Sequence, residues 1–278
     1  MRRRWTGMIL ALGVVAISWG GPLVRFTTAP SLTVAAWRLA LAALALLPFG
    51  LRGWRRNDAP FAILAGFFLA AHFASWIQSL RLTSVASSVV LVSTSPLFVG
   101  LFSFLLGEKP GRAFWLGVST ALLGTILIGL DDLSISQEAA LGDLLALVGA
   151  VAAAGYLLLG RRARKTMEAI PYASLAYLSA ALLLVLCARA FSTLVPPKTD
   201  WPWLILIALV PQVLGHTTVN WALGRLPAFA VAMVVLGEPV GAALWAHLLF
   251  HETLSPLQGL GMILVLFGIF WGLRALRE

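Results

Sequence analysis

Ten apolar runs dominate this sequence, at residues 8–26, 32–51, 60–80, 84–106, 113–130, 142–160, 171–191, 201–223, 227–250 and 256–273. Each approaches the roughly 20 residues that an α-helix needs to cross a hydrocarbon core about 30 Å thick. Hydrophobic residues make up 60% of the chain and charged residues 11%, against about 25% charged in a soluble domain. Such a chain cannot cover itself with a water-compatible surface. The expected fold is an all-α polytopic membrane protein with ten transmembrane helices. Pro60, Pro171, Pro227 and Pro256 open four of the runs, which suits the first turn of a helix, where a missing N–H leaves no partner unsatisfied.

The net charge of +9 is distributed as a topology signal rather than as a nucleic-acid surface. With the N-terminus in the cytoplasm, 15 of the 20 Lys and Arg fall on that side, the densest groups being Arg2-Arg3-Arg4 and Arg161, Arg162, Arg164 and Lys165. Arg25, Arg81, Arg189, Lys198 and the acidic segment 131–138 fall outside, and Arg38 lies within a span. Both termini are expected in the cytoplasm, of a bacterial cell with the chain in its cytoplasmic (inner) membrane. The first run is too long for a signal-peptide core and ends in Trp19-Gly20-Gly21-Pro22 without a small-x-small cleavage site, so it is read as a retained span. Cys187 is alone, which removes an intramolecular disulfide and leaves little basis for thiolate chemistry.

The second half of the chain repeats the first. His72, Arg81-Leu82, Thr94-Ser95-Pro96, Gly107-Glu108, Leu116-Gly117 and Gly124 recur as His216, Arg225-Leu226, Gly237-Glu238-Pro239, His251-Glu252, Leu260-Gly261 and Gly268. Nearly all pairs are 144 positions apart, and only Pro96 and Pro239 are one residue off. Two copies in ten spans means five per copy, 1–135 and 136–278, and an odd number inserts the second copy upside down. Arg81 and Arg225 then belong on opposite faces. The repeat and the charge bias are independent readings, and both predict two inverted five-helix repeats, an architecture of secondary transporters.

These motifs resemble the drug/metabolite transporter superfamily in its EamA branch, above all Thr94-Ser95-Pro96 with Leu106-Gly107-Glu108-Lys109, and Gly237-Glu238-Pro239 with His251-Glu252. The resemblance covers nearly the whole chain. It implies inverted five-helix halves around a cavity enclosed by the third, fourth, eighth and ninth spans and completed by the first and sixth, with the second span peripheral. Solutes of that family range over amino acids, nucleoside-like compounds, sugars and cationic drugs. His251 stands where a glycine is usual, which leaves the local turn open.

Glu238, about halfway along the ninth span, is the costliest residue to place, because a carboxylate at that depth must be paired, protonated or facing water. It reads as a proton-coupling or cation-contacting group, or as a structural partner of a basic residue. Arg38 lies at similar depth, so the two are expected either as a buried pair that fixes packing or as a gate. His72 and Trp76, four apart, share one helix face, and so do His216 and Asn220. They read as polar groups of a cavity or as interhelical hydrogen bonds. Trp19 and Tyr156 can wall a cavity or pack against neighbours. Ser93 lies where Pro96 should kink the fourth span, with nearby hydroxyls able to recapture freed carbonyls. Gly117 with Gly124, and Gly261 with Gly268, form stripes for close helix contact.

His247 and His251 carry metal-ligand spacing, yet no third ligand is evident, so no metal and no cofactor is expected. No phosphate-binding loop is present, which excludes direct ATP coupling by this chain. The leading expectation is a non-enzymatic secondary transporter. It would move a small metabolite, an amino acid or related amphiphile, by alternating access, with export favoured, proton coupling at Glu238, and a monomeric or homodimeric state. An intramembrane lipid-acting enzyme and a passive channel are the alternatives. The first would need a convergent catalytic cluster and the second a pore-lining selectivity motif.

Overall fold

The structure, a computed structural model, describes the backbone of residues 2–54, 56–105, 107–130, 137–251 and 253–274. The expected boundary between halves at 135/136, most of the acidic segment, Glu252 and Arg277 lie outside the described residues. The described residues form ten helical spans: Trp5–Val24, Ser31–Gly53, Ala59–Leu82, Ser87–Phe104, Arg112–Gly129, Gln137–Ala163, Ala169–Phe191, Lys198–Leu223, Ala228–Phe250 and Pro256–Arg274. Each coincides with one apolar run to within a few residues. No strand occurs among the described residues.

Several spans are not single helices. The first comprises α1 (Arg2–Ile17) and α2 (Gly20–Val24). The second and third contain α3 (Ser31–Gly50) and α4 (Ala59–Leu82). The fourth divides into α5 (Val85–Val92) and α6 (Ser95–Leu105), and the fifth is α7 (Arg112–Gly129). The sixth and seventh are α8 (Gln137–Ala163) and α9 (Ala169–Phe191). The eighth passes from α10 (Trp201–Ile207) through a π-helical segment, Ala208–His216, into α11 (Thr217–Leu223). The ninth divides into α12 (Ala228–Val235) and α13 (Glu238–Phe250), and the tenth is α14 (Pro256–Arg274).

Local chemistry accounts for these interruptions. Pro96 and Pro239 sit in the first turns of α6 and α13, where a ring costs no hydrogen bond but stops the preceding helix from running through. Hydroxyls bond to carbonyls beside the breaks: Thr94 donates to Leu91 O at 2.6 Å, and Ser18 donates to Val15 O at 2.7 Å. Pro211 interrupts the eighth span, and the wider π turn absorbs its missing N–H. A kink was expected only in the fourth span. The first and ninth break as well, at Ser18-Trp19 and Leu236-Gly237.

Helix packing is closest between α7 and α14, α4 and α8, and α3 and α9, while α1 lies on the π-helical segment. A Cβ built on Gly117 would lie 2.5 Å from Gly268 O, and one on Gly124 would lie 2.5 Å from Gly261 O. The converse distances are also 2.5 Å, so the two backbones touch, and the reversed order of the contacts makes α7 and α14 antiparallel. Leu116, Leu123, Ile263, Leu266 and Phe270 point away from this seam and stay exposed. In lipid they face hydrocarbon, and no aqueous cost arises.

The two ends of the bundle are tied differently. At one end Arg81 Nη2 donates to Thr27 O and Ala29 O, at 3.2 and 3.1 Å, and Asp200 accepts from the N–H groups of Thr28 and Ala29, both at 2.8 Å. At the other, Thr166 donates to Asp58, Arg161 donates to Leu223 O at 2.7 Å, and Arg164 donates to Asn220 O at 2.9 Å. Gly224 packs directly against that Arg164 guanidinium, so Arg225 belongs to this second end. Arg81 and Arg225 therefore lie at opposite ends of the bundle, separated by the 24 residues of α4.

Candidate functional site

The broken helices converge on one small cavity of about 70 Å³, lined among others by Gly20, Arg38, His72, Phe73, Trp76, Ser93, Tyr156, His216 and Glu238. The first, third, fourth, sixth, eighth and ninth spans all contribute. So does the second, which was expected at the periphery: α3 packs on α9 with Arg38 directed into the interior. Where helices are interrupted, their new N-termini carry positive partial charge. Two such ends, those of α6 at Ser95 and α13 at Glu238, border the cavity.

Arg38 is 1% exposed. Its Nε donates to Gln212 Oε1 at 2.7 Å, and its guanidinium carbon lies 3.9 Å from the centroid of the Phe73 ring. These contacts offset part of the cost of a cation at the bilayer centre, which insertion measurements put at about 2.5–3.5 kcal/mol. The direct pairing with Glu238 considered from depth alone is absent: among the described residues the arginine's hydrogen-bond partner is Gln212, which the sequence reading missed. Its Nη1 has no hydrogen-bond partner. Glu238, half-buried, opens α13 beside the cavity. In the sequence Gln212 is only an uncharged amide in an apolar span, too weak a signal to single it out.

His72 shares an Nδ1 hydrogen bond with Gly149 O at 2.9 Å. A carbonyl only accepts, so Nδ1 carries the proton and Nε2 is left as the other ring nitrogen. Its ring lies parallel to that of Trp76, 6.1 Å away, as their spacing of four on one face predicts. His216 meets Phe73 edge-on at 5.4 Å. Tyr156 lines the cavity and donates to Asn220 Oδ1 at 2.6 Å, while Asn220 Nδ2 donates to Tyr177 Oη at 3.2 Å.

Two expected members stand elsewhere. Asn220 is fully buried behind Tyr156 and holds its hydroxyl rather than facing the cavity, because α11 turns it toward α8 and α9. Trp19, at the joint of the first span, is turned onto Trp245, with ring centroids 4.1 Å apart, and its neighbour Gly20 lines the cavity instead. Trp245 Nε1 donates to Ser18 Oγ at 3.0 Å, which fixes that joint.

Next to the cavity lies a larger cleft of about 830 Å³, lined by Gly21, Arg25, Ser84, Pro239, His251 and Gln258 among others. It meets the cavity at the joints Gly20-Gly21 and Glu238-Pro239, and it lies toward the Arg81 end. The opposite end carries the Arg161–Leu223, Arg164–Asn220 and Thr166–Asp58 hydrogen bonds. His251 thus sits at the mouth of this cleft, and no group of three potential metal ligands occurs among the described residues.

The model of the EamA-like transporter family matches the chain twice, over residues 5–130 and 140–273. The chain belongs to the EamA-like transporter family. Members similar to it include an uncharacterized transporter of Archaeoglobus fulgidus, 28% identical over 96% of this chain and 95% of that one. A probable amino-acid metabolite efflux pump of Escherichia coli is 26% identical over 97% and 95% of the two chains. The threonine/homoserine exporter RhtA of the same species is 27% identical over 92% and 86%. A solved crystal structure superposes with a TM-score of 0.84 at 20% identity, over 99% of this chain and 100% of that one, and shares the fold. Ten apolar spans and membership of the EamA-like family make this an integral, multi-pass membrane protein of a transporter family.

Proposed function

We propose that this chain is a secondary transporter that exports a small amphiphilic metabolite of the amino-acid class by alternating access. One observation carries the reading: a small cavity with separated Arg38 and Glu238 charges and an aromatic wall lies where broken helices meet. It sits beneath a wide cleft at one end of the bundle and behind a hydrogen-bonded seal at the other. In this reading a solute reaches the cavity from one side at a time. The cleft closes as the Arg161–Leu223 and Arg164–Asn220 contacts open.

The inverted-repeat reading, with halves at 1–135 and 136–278, draws support from the reciprocal contacts of Gly117 with Gly268 and Gly124 with Gly261. Equivalent positions of the two halves meet there as an approximate two-fold axis requires. Positive residues concentrated at the sealed end favour that end as cytoplasmic, with the cleft outside and both termini inside. Glu238 is the proposed proton-coupling group, as an acidic side chain without a salt bridge among the described residues, at the junction of cavity and cleft. Relatives named as an amino-acid metabolite efflux pump and a threonine/homoserine exporter favour the amino-acid class and the outward direction.

Counterflow in proteoliposomes, screened across amino acids, nucleosides and cationic drugs, tests this reading. The expected result is saturable exchange of unmodified amino acids. Non-saturable flux would mean a channel, chemical change of the solute an enzyme, and exchange confined to another class would overturn the solute assignment.

A further inference from the structure

We propose that Arg38 is the carboxylate-recognising group of the cavity, so that the site takes a zwitterion with its carboxylate on Arg38 and its ammonium on Glu238. This rests on the carrier reading above and deepens it by specifying the chemistry of the solute.

Arg38 is fully buried, and structure alone does not use all of it. Gln212 engages Nε, Phe73 covers one face, and Nη1 is left without a hydrogen-bond partner. An unfilled donor on a buried cation is costly to maintain, and a planar guanidinium matches a carboxylate with two parallel hydrogen bonds. A second unfilled donor, Trp76 Nε1, belongs to another wall of the same cavity. Both side chains converge on Gly20: a Cβ built there would lie 3.6 Å from Arg38 Nη1 and 3.7 Å from Trp76 Cη2. The missing side chain thus keeps space open in front of the free guanidinium nitrogen.

Glu238 supplies the opposite charge in the same cavity and is not paired with Arg38. A net anion would leave Arg38 satisfied but face Glu238, and a net cation would do the reverse. A solute carrying an ammonium and a carboxylate on one carbon answers both, while the surrounding Leu69, Phe73 and Val219 are left to contact its apolar part.

The test is ligand-induced thermal stabilisation of the purified full-length chain in detergent, read alongside counterflow. The probes are amino acids, their carboxamides and amino alcohols, and short monocarboxylates without an amine. Amino acids should stabilise the wild type, and the carboxamides and amino alcohols should bind about 30-fold more weakly or worse. Arg38→Gln should erase that preference, and Arg38→Lys should restore part of it. Gly20→Ala is a second variant that keeps the charge: its methyl fits at ordinary contact distance, so folding should persist while amino-acid binding weakens. Equal binding of acids and amides by the wild type, or undiminished acid binding by Arg38→Gln and Gly20→Ala, would overturn the proposal. Arg38-dependent binding of monocarboxylates alone would keep the carboxylate site and overturn both the zwitterion and the amino-acid assignment. Saturable exchange confined to solutes without a carboxylate would overturn the Arg38 assignment while leaving the carrier intact.

Discussion

Glu238 and His251 show how much single positions of this chain are asked to do. Glu238 begins α13 at the junction of cavity and cleft, and among the described residues no cation forms a salt bridge with it. Glu238→Gln keeps the shape and removes the titration, so transport should become nearly independent of pH while the melting temperature stays unchanged. A wild-type pH profile in that variant would reject the coupling role. His251 ends α13 with φ 55°, and the equivalent position of the first half, Gly107, has φ 85°. The turn is therefore conserved in shape although the residue is not glycine, and the left-handed backbone costs a side chain about 1 kcal/mol. His251→Gly should raise the thermal stability of the purified protein slightly and His251→Val should lower it. Arg38, His72 and Glu238 could be picked out in the sequence because ionisable groups within apolar spans are few, and Trp76 by its spacing of four from His72. Gln212 could not, since an amide is cheaper to bury and gains meaning only opposite the arginine it holds.

At the scale of the helices, the seam between α7 and α14 is the most sharply specified contact. The two atoms nearest to a Cβ built on Gly124 are backbone, Gly261 O at 2.5 Å and Val265 N at 2.7 Å, and the third is Leu264 Cβ at 2.9 Å, so nothing can rotate aside. Gly124→Ala should force the helices apart and lower stability by about 1–3 kcal/mol, read as a lower denaturation midpoint. Gly7→Ala is the matched control, because a Cβ there meets nothing within 4 Å. It should be neutral or mildly stabilising. These stripes were legible as spacing alone, since a seven-residue interval repeats on one helix face. The breaks were less legible. Pro96 announced the interruption of the fourth span, and its counterpart Pro239 carried the same message for the ninth. The joint at Ser18-Trp19 is likewise followed by a proline, Pro22, and it is also held by Trp245, more than 200 positions away.

For the molecule as a whole, the consequence to check is the placement of equivalent residues at opposite ends. Single cysteines at positions 81 and 225, in a Cys187→Ser background, should react with an impermeant reagent from opposite sides of the membrane, position 81 from outside the cell. Labelling of both from the same side would remove the inverted arrangement and with it the rocking mechanism. The all-helical class, the number of spans and their positions were determined by the sequence by itself, because lipid leaves a twenty-residue apolar run few options other than a helix that satisfies its own backbone. The charge bias and the repeat, likewise local or periodic, were readable in the same way. Only the tertiary structure decided that Arg38 enters the cavity from the second span, that Trp19 and Asn220 stand outside its lining, and that the arginine and the glutamate remain apart. Those outcomes depend on the rotation of each helix against its neighbours. Such rotation is set by packing between residues far apart in the chain, and no single stretch of sequence encodes it.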